Sequence, residues 1–271
     1  MRGLRAIKPT RAGRFLIYNG GIVMDTLHLL IVFAAGAVGG SFGTLVGGGG
    51  LITIPTLMLL GLPPHTAIGT NRMGVSGMAI AGWYGFNKKG MINYQIAFTM
   101  AIPALFGPIL GAHLVLKIDE EILRRVIAVI TILILGFIIS RPKIGIQKAP
   151  HTIRKHEYLI GVVLSLFIFM YSGFYGAGAG TFLTYVLILL FGQTFLESAA
   201  TRKIAQLIST VVTTIVFALS GVVSYPVGAT LLAGSFTGSY VGTHFSDRIG
   251  DVWIKRLFFV IVLIMAIKLL A

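Results

Sequence analysis

Cysteine is missing from this chain and acidic residues are scarce: its 271 residues hold no Cys and only eight Asp and Glu together. The first absence excludes disulfides, thiolate metal sites and a cysteine-based sulfur relay. The second leaves no paired acidic cluster, and neither an HExxH nor a CxxC appears. The six histidines are scattered, so the sequence offers no metal or cofactor site and no recognisable enzyme chemistry. Charged residues make up only 11%, against about a quarter in soluble domains, which leaves too little polar surface for a water-facing globule.

What fills the chain instead is apolar. Hydrophobic residues reach 56% and mean hydropathy is +0.91. Stretches near the roughly 20 residues that a bilayer core requires recur at Leu27–Val46, Ala67–Phe86, Tyr94–Leu116, Ile122–Ile139, Leu159–Gly178, Ala199–Leu219, Tyr225–Phe245 and Trp253–Leu270. Two further apolar runs, Leu51–Leu62 and Thr181–Phe191, are too short to span. The expected fold is an all-α polytopic membrane protein of about eight transmembrane helices, built as two four-span repeats with glycine-broken or re-entrant short helices.

The repeat is visible without gaps once Gly47 is laid on Gly178. Gly49 and Thr53 then fall on Gly180 and Thr184, and Gly61, Thr70 and Arg72 on Gly192, Thr201 and Lys203. Tyr94, Gly107, Gly111, His113 and Arg125 fall on Tyr225, Gly238, Gly242, His244 and Arg256. So long a period excludes a solenoid; duplicated halves of this size build many secondary transporters, with the substrate site where the halves meet. The resulting division is a basic N-terminal extension (1–26), a first transmembrane repeat (27–140), a basic cytoplasmic linker (141–157) and a second repeat (158–271).

A net charge of +14 would suit a nucleic-acid surface, but its distribution follows membrane topology. Arg2, Arg5, Lys8, Arg11 and Arg14 precede the first span, Lys88 and Lys89 share a short loop, and Arg141, Lys143, Lys148, Arg154 and Lys155 fill the joint between repeats. These are places for a positive-inside bias and for attraction to anionic lipid. Nucleic acid is therefore not an expected partner; membrane lipids, a small anion and a second copy of the chain in a homodimer are. If all three clusters are cytoplasmic and the short runs re-enter without crossing, the halves are parallel; if a short run crosses, the second half is inverted. The basic start followed by an apolar run resembles a secretory signal, but the repeat counts this span as structural. Met24 is an alternative start.

Within each repeat a span meets a glycine cluster, Gly47-Gly48-Gly49-Gly50 and then Gly176-Ala177-Gly178-Ala179-Gly180. Four glycines cost roughly 3 to 4 kcal/mol of helix propensity relative to alanine, so the helix is expected to break there. The backbone groups freed at membrane depth need protein or a wet cavity, and the restarting helix offers amides to an anion. The scattered Gly107, Gly111, Gly238 and Gly242 read instead as close helix packing. After the short helix comes Thr70-Asn71-Arg72, matched by Thr201-Arg202-Lys203. Arg72 lies eight residues past Pro64, about 12 Å along a helix. An ionised group that deep usually faces a cavity or partner, the alternative being snorkelling to the headgroups.

The expected substrate-binding set is therefore Gly48, Gly49, Gly50, Thr53, Thr70, Asn71, Arg72, Gly178, Gly180, Thr201, Arg202, Lys203 and Gln206. Arg72 and Lys203 lead as the attracting charges, with Arg202 and Gln206 behind them. Amides, hydroxyls and guanidinium groups suit a small oxyanion, because a guanidinium grips two oxygens at once; no matching carboxylates provide for a cation. Candidates for proton coupling are Glu197, His113 and His244. A carrier, an anion channel, and an intramembrane enzyme or lipid-binding scaffold all remain readings of the residues alone, although no spaced Ser and His pairing supports an enzyme.

The run from Gly47 to Pro55, Gly-Gly-Gly-Gly-Leu-Ile-Thr-Ile-Pro, followed by Leu60-Gly-Leu-Pro-Pro-His-Thr-Ala-Ile-Gly-Thr-Asn71, resembles the N-terminal signature of the sulfite exporter TauE/SafE family of membrane permeases. The second copy resembles its C-terminal half, with Val186 in place of Pro55 and Gln193-Thr194 in place of Leu62-Pro63. The resemblance covers roughly 27–271 and implies a multi-pass transporter of a bacterial or archaeal plasma membrane. Its implied cargo is sulfite, an organosulfonate or a related sulfur oxyanion.

Overall fold

The computed structural model describes residues 25–140 and 154–246, together with three short strands ahead of them. These strands, β1 (Arg5–Ala6), β2 (Leu16–Tyr18) and β3 (Gly21–Val23), pair antiparallel in that order. The pairing falls in the N-terminal extension, where the all-α expectation held none.

The rest of the described chain is helical: α1 (Thr26–Leu45), α2 (Gly50–Leu59), α3 (Pro64–Lys88), α4 (Tyr94–Val115), α5 (Glu120–Ser140), α6 (Lys155–Phe174), α7 (Ala179–Phe191), α8 (Phe195–Leu219) and α9 (Tyr225–His244). Local chemistry sets many of the starts. The Asp25 carboxylate accepts from the His28 amide at 2.9 Å, which holds its pKa below the usual carboxylate value. Asn93 caps α4 through the Ile96 amide at 3.2 Å, and Thr194 and Glu197 form a capping box on α8. Pro64 opens α3, where its missing N–H costs nothing. In the register that lays Gly47 on Gly178, both bounds of α3 fall on those of α8, and the start of α4 falls on that of α9. Four helical segments have the length and apolarity to cross a membrane: Thr26–Leu45, Tyr94–Val115, His156–Phe174 and Phe195–Leu219. The expected span Trp253–Leu270 lies outside the described residues.

Small residues bring the helices close enough to read their directions. Along α1 and α9, Phe33 meets Gly234, Ala37 meets Gly238 and Ser41 meets Gly242, so the two run parallel. Along α3 and α9, Gly69 meets Val222, Gly74 meets Leu231 and Gly85 meets Thr243, again parallel. In the same way α4 runs with α6, Gly107 against Leu166 and Gly111 against Met170. Gly107, Gly111, Gly238 and Gly242 thus serve close packing, as the small-residue reading expects. Between α3 and α8 the order reverses, with Gly82 against Lys203 and Gly69 against Phe217.

These directions correct the parallel count. Gly43 lies against Gly49 and Gly39 against Thr53, so α2 doubles back along α1 and returns the chain toward the face where α1 began. It is ten residues long, about 15 Å. Because α2 reverses the chain, α1 and α3 run the same way, and the equivalent helices α3 and α8 run oppositely. Lys88 at the end of α3 therefore lies on the opposite membrane face from Asp25 at the start of α1. The expectation that both flanks share one face fails for this reason. His65, near the start of α3, donates to the Val115 carbonyl (2.9 Å) and stands 3.6 Å from Glu120. The α4–α5 corner is thereby fixed at the face where α3 begins.

Candidate functional site

At Gly47 and Gly178 the backbone adopts φ of 94° and 80°, a conformation for which glycine has no steric cost. These two turns end the first helix of each half and launch the re-entrant α2 and α7. The loops press on each other: a Cβ at Gly180 would sit 2.9 Å from the Gly47 Cα, and Thr181 Oγ1 donates to the Val46 carbonyl at 2.8 Å. The helix breaks expected from the glycine clusters are in place, as re-entrant hairpins.

Between the two turns lies a narrow cavity of about 30 Å³. Both halves build its wall. Gly47, Gly49, Gly50, Asn71 and Arg72 come from the first, and Gly176, Gly180, Arg202, Gln206 and Thr210 from the second. Ser172, Phe169 and Leu183 complete one side. No carboxylate is among its lining residues.

The cations on this wall are buried and already partly engaged. Arg72 Nη2 donates to the Tyr175 carbonyl at 2.6 Å, at the C-terminal end of α6. Arg202 Nη2 donates to the carbonyls of Gly43 (3.1 Å) and Thr44 (2.9 Å), near the end of α1. Each guanidinium thus caps the broken first helix of the other half, where a cation complements the helix dipole. Gly176 is required for this: a Cβ there would fall on the Arg72 guanidinium. Arg202 Nη1 also donates to Gln206 Oε1 at 3.2 Å. Three N–H donors on the wall remain without an acceptor, Arg72 Nε, Arg202 Nε and Asn71 Nδ2. The last is aimed by Thr53, whose hydroxyl donates to Asn71 Oδ1 at 2.5 Å. A buried polar group without a partner is costly, so three such donors around one space form a site suited to an acceptor.

The other expected site residues are placed differently. Lys203, expected to lead with Arg72, turns away from the cavity, donates to Thr44 Oγ1 at 3.3 Å and lies against Gly82. Arg202 takes its place on the wall. Thr70 accepts from the Ser224 amide at 3.0 Å, and Thr201 accepts from the Asn93 amide (3.2 Å) and Gln193 Nε2 (3.0 Å); both pin loops. Gly48 and Gly178 belong to the turns behind the wall. Glu197 is held in the α8 capping box, while His113 and His244 are exposed in the last turns of α4 and α9, apart from the cavity. The sequence reading missed Ser172 and Thr210. The spacing of Arg202, Gln206 and Thr210 at i, i+4 and i+8 marks one helix face and was the signal for Thr210.

The family described as sulfite exporter TauE/SafE matches residues 32–269. The chain belongs to this family. A probable membrane transporter protein of Haemophilus influenzae is 30% identical over 207 residues, 76% of this TauE/SafE chain and 80% of the relative. The probable membrane transporter protein ORF9 of Sinorhizobium sp is 30% identical over 90% of the chain and 93% of its own length. YfcA of Escherichia coli K12, also named a probable membrane transporter protein, is 25% identical over 93% of each. No solved structure matches significantly. Family, relatives and apolar helices together make this TauE/SafE chain a multi-pass membrane protein.

Proposed function

We propose that this chain is a secondary transporter that carries a small sulfur oxyanion, sulfite or an organosulfonate, across a bacterial or archaeal plasma membrane by alternating access between its two repeats. The observation that carries the reading is the set of unpaired buried donors, Arg72 Nε, Arg202 Nε and Asn71 Nδ2, on a wall with two guanidinium groups and no carboxylate. Two fixed positive charges match a divalent oxyanion, and the planar guanidinium suits its oxygens. The opposed directions of α3 and α8 give the inverted-repeat arrangement in which such sites sit between halves.

The cavity volume supports a carrier over an open pore. About 30 Å³ is the share of one water in the liquid, less than a four-atom oxyanion requires, so loading the site requires the halves to part. The test is flux into proteoliposomes with a panel of sulfite, sulfonates, sulfate and carboxylates, with and without a proton gradient. Saturable uptake selective for sulfite or a sulfonate is expected. Conductance far above carrier turnover in a planar bilayer identifies a channel instead, and a preference for carboxylates refutes the sulfur oxyanion assignment.

A further inference from the structure

A second feature stands apart from the cavity, on the lipid-facing surface where α3 and α9 run side by side. One exposed stripe on α3 comprises Ile80, Tyr84 and Lys88, at i, i+4 and i+8, and a matching stripe on α9 comprises Phe236, Tyr240 and His244. Because the helices are parallel, the stripes change character together. Both are apolar at the first position, tyrosine at the second and basic at the third, so the groove passes from greasy to aromatic to cationic toward one membrane face. At its basic end a small cavity of about 110 Å³ opens between Tyr84, Lys88, Lys89, Tyr240 and His244. Its floor is the contact of Gly85 with Thr243. The lysines are not left to wander: Lys88 Nζ sits 4.4 Å from the Tyr84 ring centroid, and Lys89 Nζ donates to Ser246 Oγ at 2.9 Å.

The other half supplies an internal control. The equivalent positions in the repeat are Val211, Ile215 and Leu219 on α8 and Leu105, Ile109 and His113 on α4. There the tyrosines become isoleucines and both lysines vanish, Lys88 matching Leu219 and Lys89 matching Ser220. Val211, Ile215, Leu219, Leu105 and Ile109 are exposed as well, so the equivalent surface still faces lipid but has no lysine at its end. Since α3 and α8 run oppositely, that surface opens toward the other membrane face.

We propose that the α3–α9 groove is a binding site for one anionic phospholipid, present on a single leaflet. The phosphodiester sits among Lys88, Lys89 and His244, the tyrosines lie at headgroup depth where amphipathic rings settle, and the acyl chains run along Ile80 and Phe236. Continuity of the cationic pocket with the apolar groove selects a lipid over free phosphate, and anionic lipid attraction to lysines near the surface supplies the affinity. The face is the one carrying Lys88 and Lys89, whose charge marks it as cytoplasmic under the positive-inside bias.

The experiment uses the full-length protein in a mild detergent. Phosphatidylglycerol, phosphatidylcholine and inorganic phosphate are titrated separately, with bound lipid counted by native mass spectrometry and thermal unfolding followed in parallel. The expected result is one retained phosphatidylglycerol and an unfolding temperature raised by that lipid alone. The Lys88→Gln/Lys89→Gln variant should bind it roughly tenfold or more weakly, while Lys88→Arg/Lys89→Arg retains it. Lys88 is exposed and Lys89 only half-buried, so neither variant threatens folding, and unfolding in phosphatidylcholine verifies this. Equal binding of both lipids, an equal shift with inorganic phosphate, or undiminished binding in the Gln variant overturns the proposal.

Discussion

At position 71 the first half of the chain places an amide on the cavity wall, and at the equivalent position 202 the second half places a guanidinium. One residue later the roles change. Arg72 is on the wall, while Lys203, its counterpart, is tucked behind it against Gly82 and Thr44. Each half therefore contributes one wall cation, from non-equivalent positions, and each cation caps the broken first helix of the opposite half. The duplication supplies the scaffold of two turns and two facing helices, and the departures from it decide what the scaffold holds. Lys203 keeps the capping role without the site role: it reaches Thr44, whose counterpart in the repeat is Tyr175, the residue that Arg72 reaches.

The comparison breaks most readily at the neighbouring pair in the second half. Arg202→Met removes a wall donor and leaves the Gly43 and Thr44 carbonyls without it, and sulfite uptake should fall about a hundredfold, the scale of losing charged hydrogen bonds. Lys203→Met leaves the wall intact and should keep the KM for sulfite within about threefold of wild type, with its cost appearing in thermal stability. Uptake kinetics on equally inserted variants separate the two; a larger KM change in Lys203→Met reverses their roles.

A smaller effect distinguishes glycines that differ only in surroundings. Gly176 and Gly90 both have positive φ, 75° and 64°, but a side chain at Gly90 meets nothing within 4 Å. Gly90→Ala should cost only the backbone term, about 1 to 2 kcal/mol. Gly176→Ala must also displace Arg72 and should cost at least about 3 kcal/mol. Denaturation in detergent measures both, and equal losses would show that Arg72 has another place to go.

The smallest contrast lies in the matched threonines. Thr201 accepts two hydrogen bonds and Thr70 one, so Thr201→Val should cost more stability than Thr70→Val, by about 1 kcal/mol. Neither should alter the KM for sulfite, and a changed KM would return these hydroxyls to the substrate.

Much of this arrangement was legible in the residues. Glycine clusters predict helix breaks because propensity is local, and capping residues such as Asn93 and Thr194 mark where helices begin for the same reason. The polar string at 70–72 pointed to the right turn of α3. What sequence spacing does not contain is rotation about a helix axis: Arg202 and Lys203 are adjacent in the chain but face different neighbours, and only packing against α1 decides which reaches the cavity. Direction was hidden too. Ten apolar residues in α2 are too few to span, yet by folding back along α1 they invert everything that follows, so counting long apolar runs led to parallel halves. The exposed ends of α4 and α9 show a third limit, since His113 and His244 match in the repeat but share only a position at a membrane edge.

The central claim is that the anion is gripped from both halves at once, by Arg72 and Arg202. Initial rates of sulfite uptake into proteoliposomes, compared among wild type, Arg72→Gln and Arg202→Gln at equal insertion, test it most directly. The account predicts that each substitution lowers kcat/KM by at least about tenfold. Wild-type uptake kinetics in either variant would contradict it.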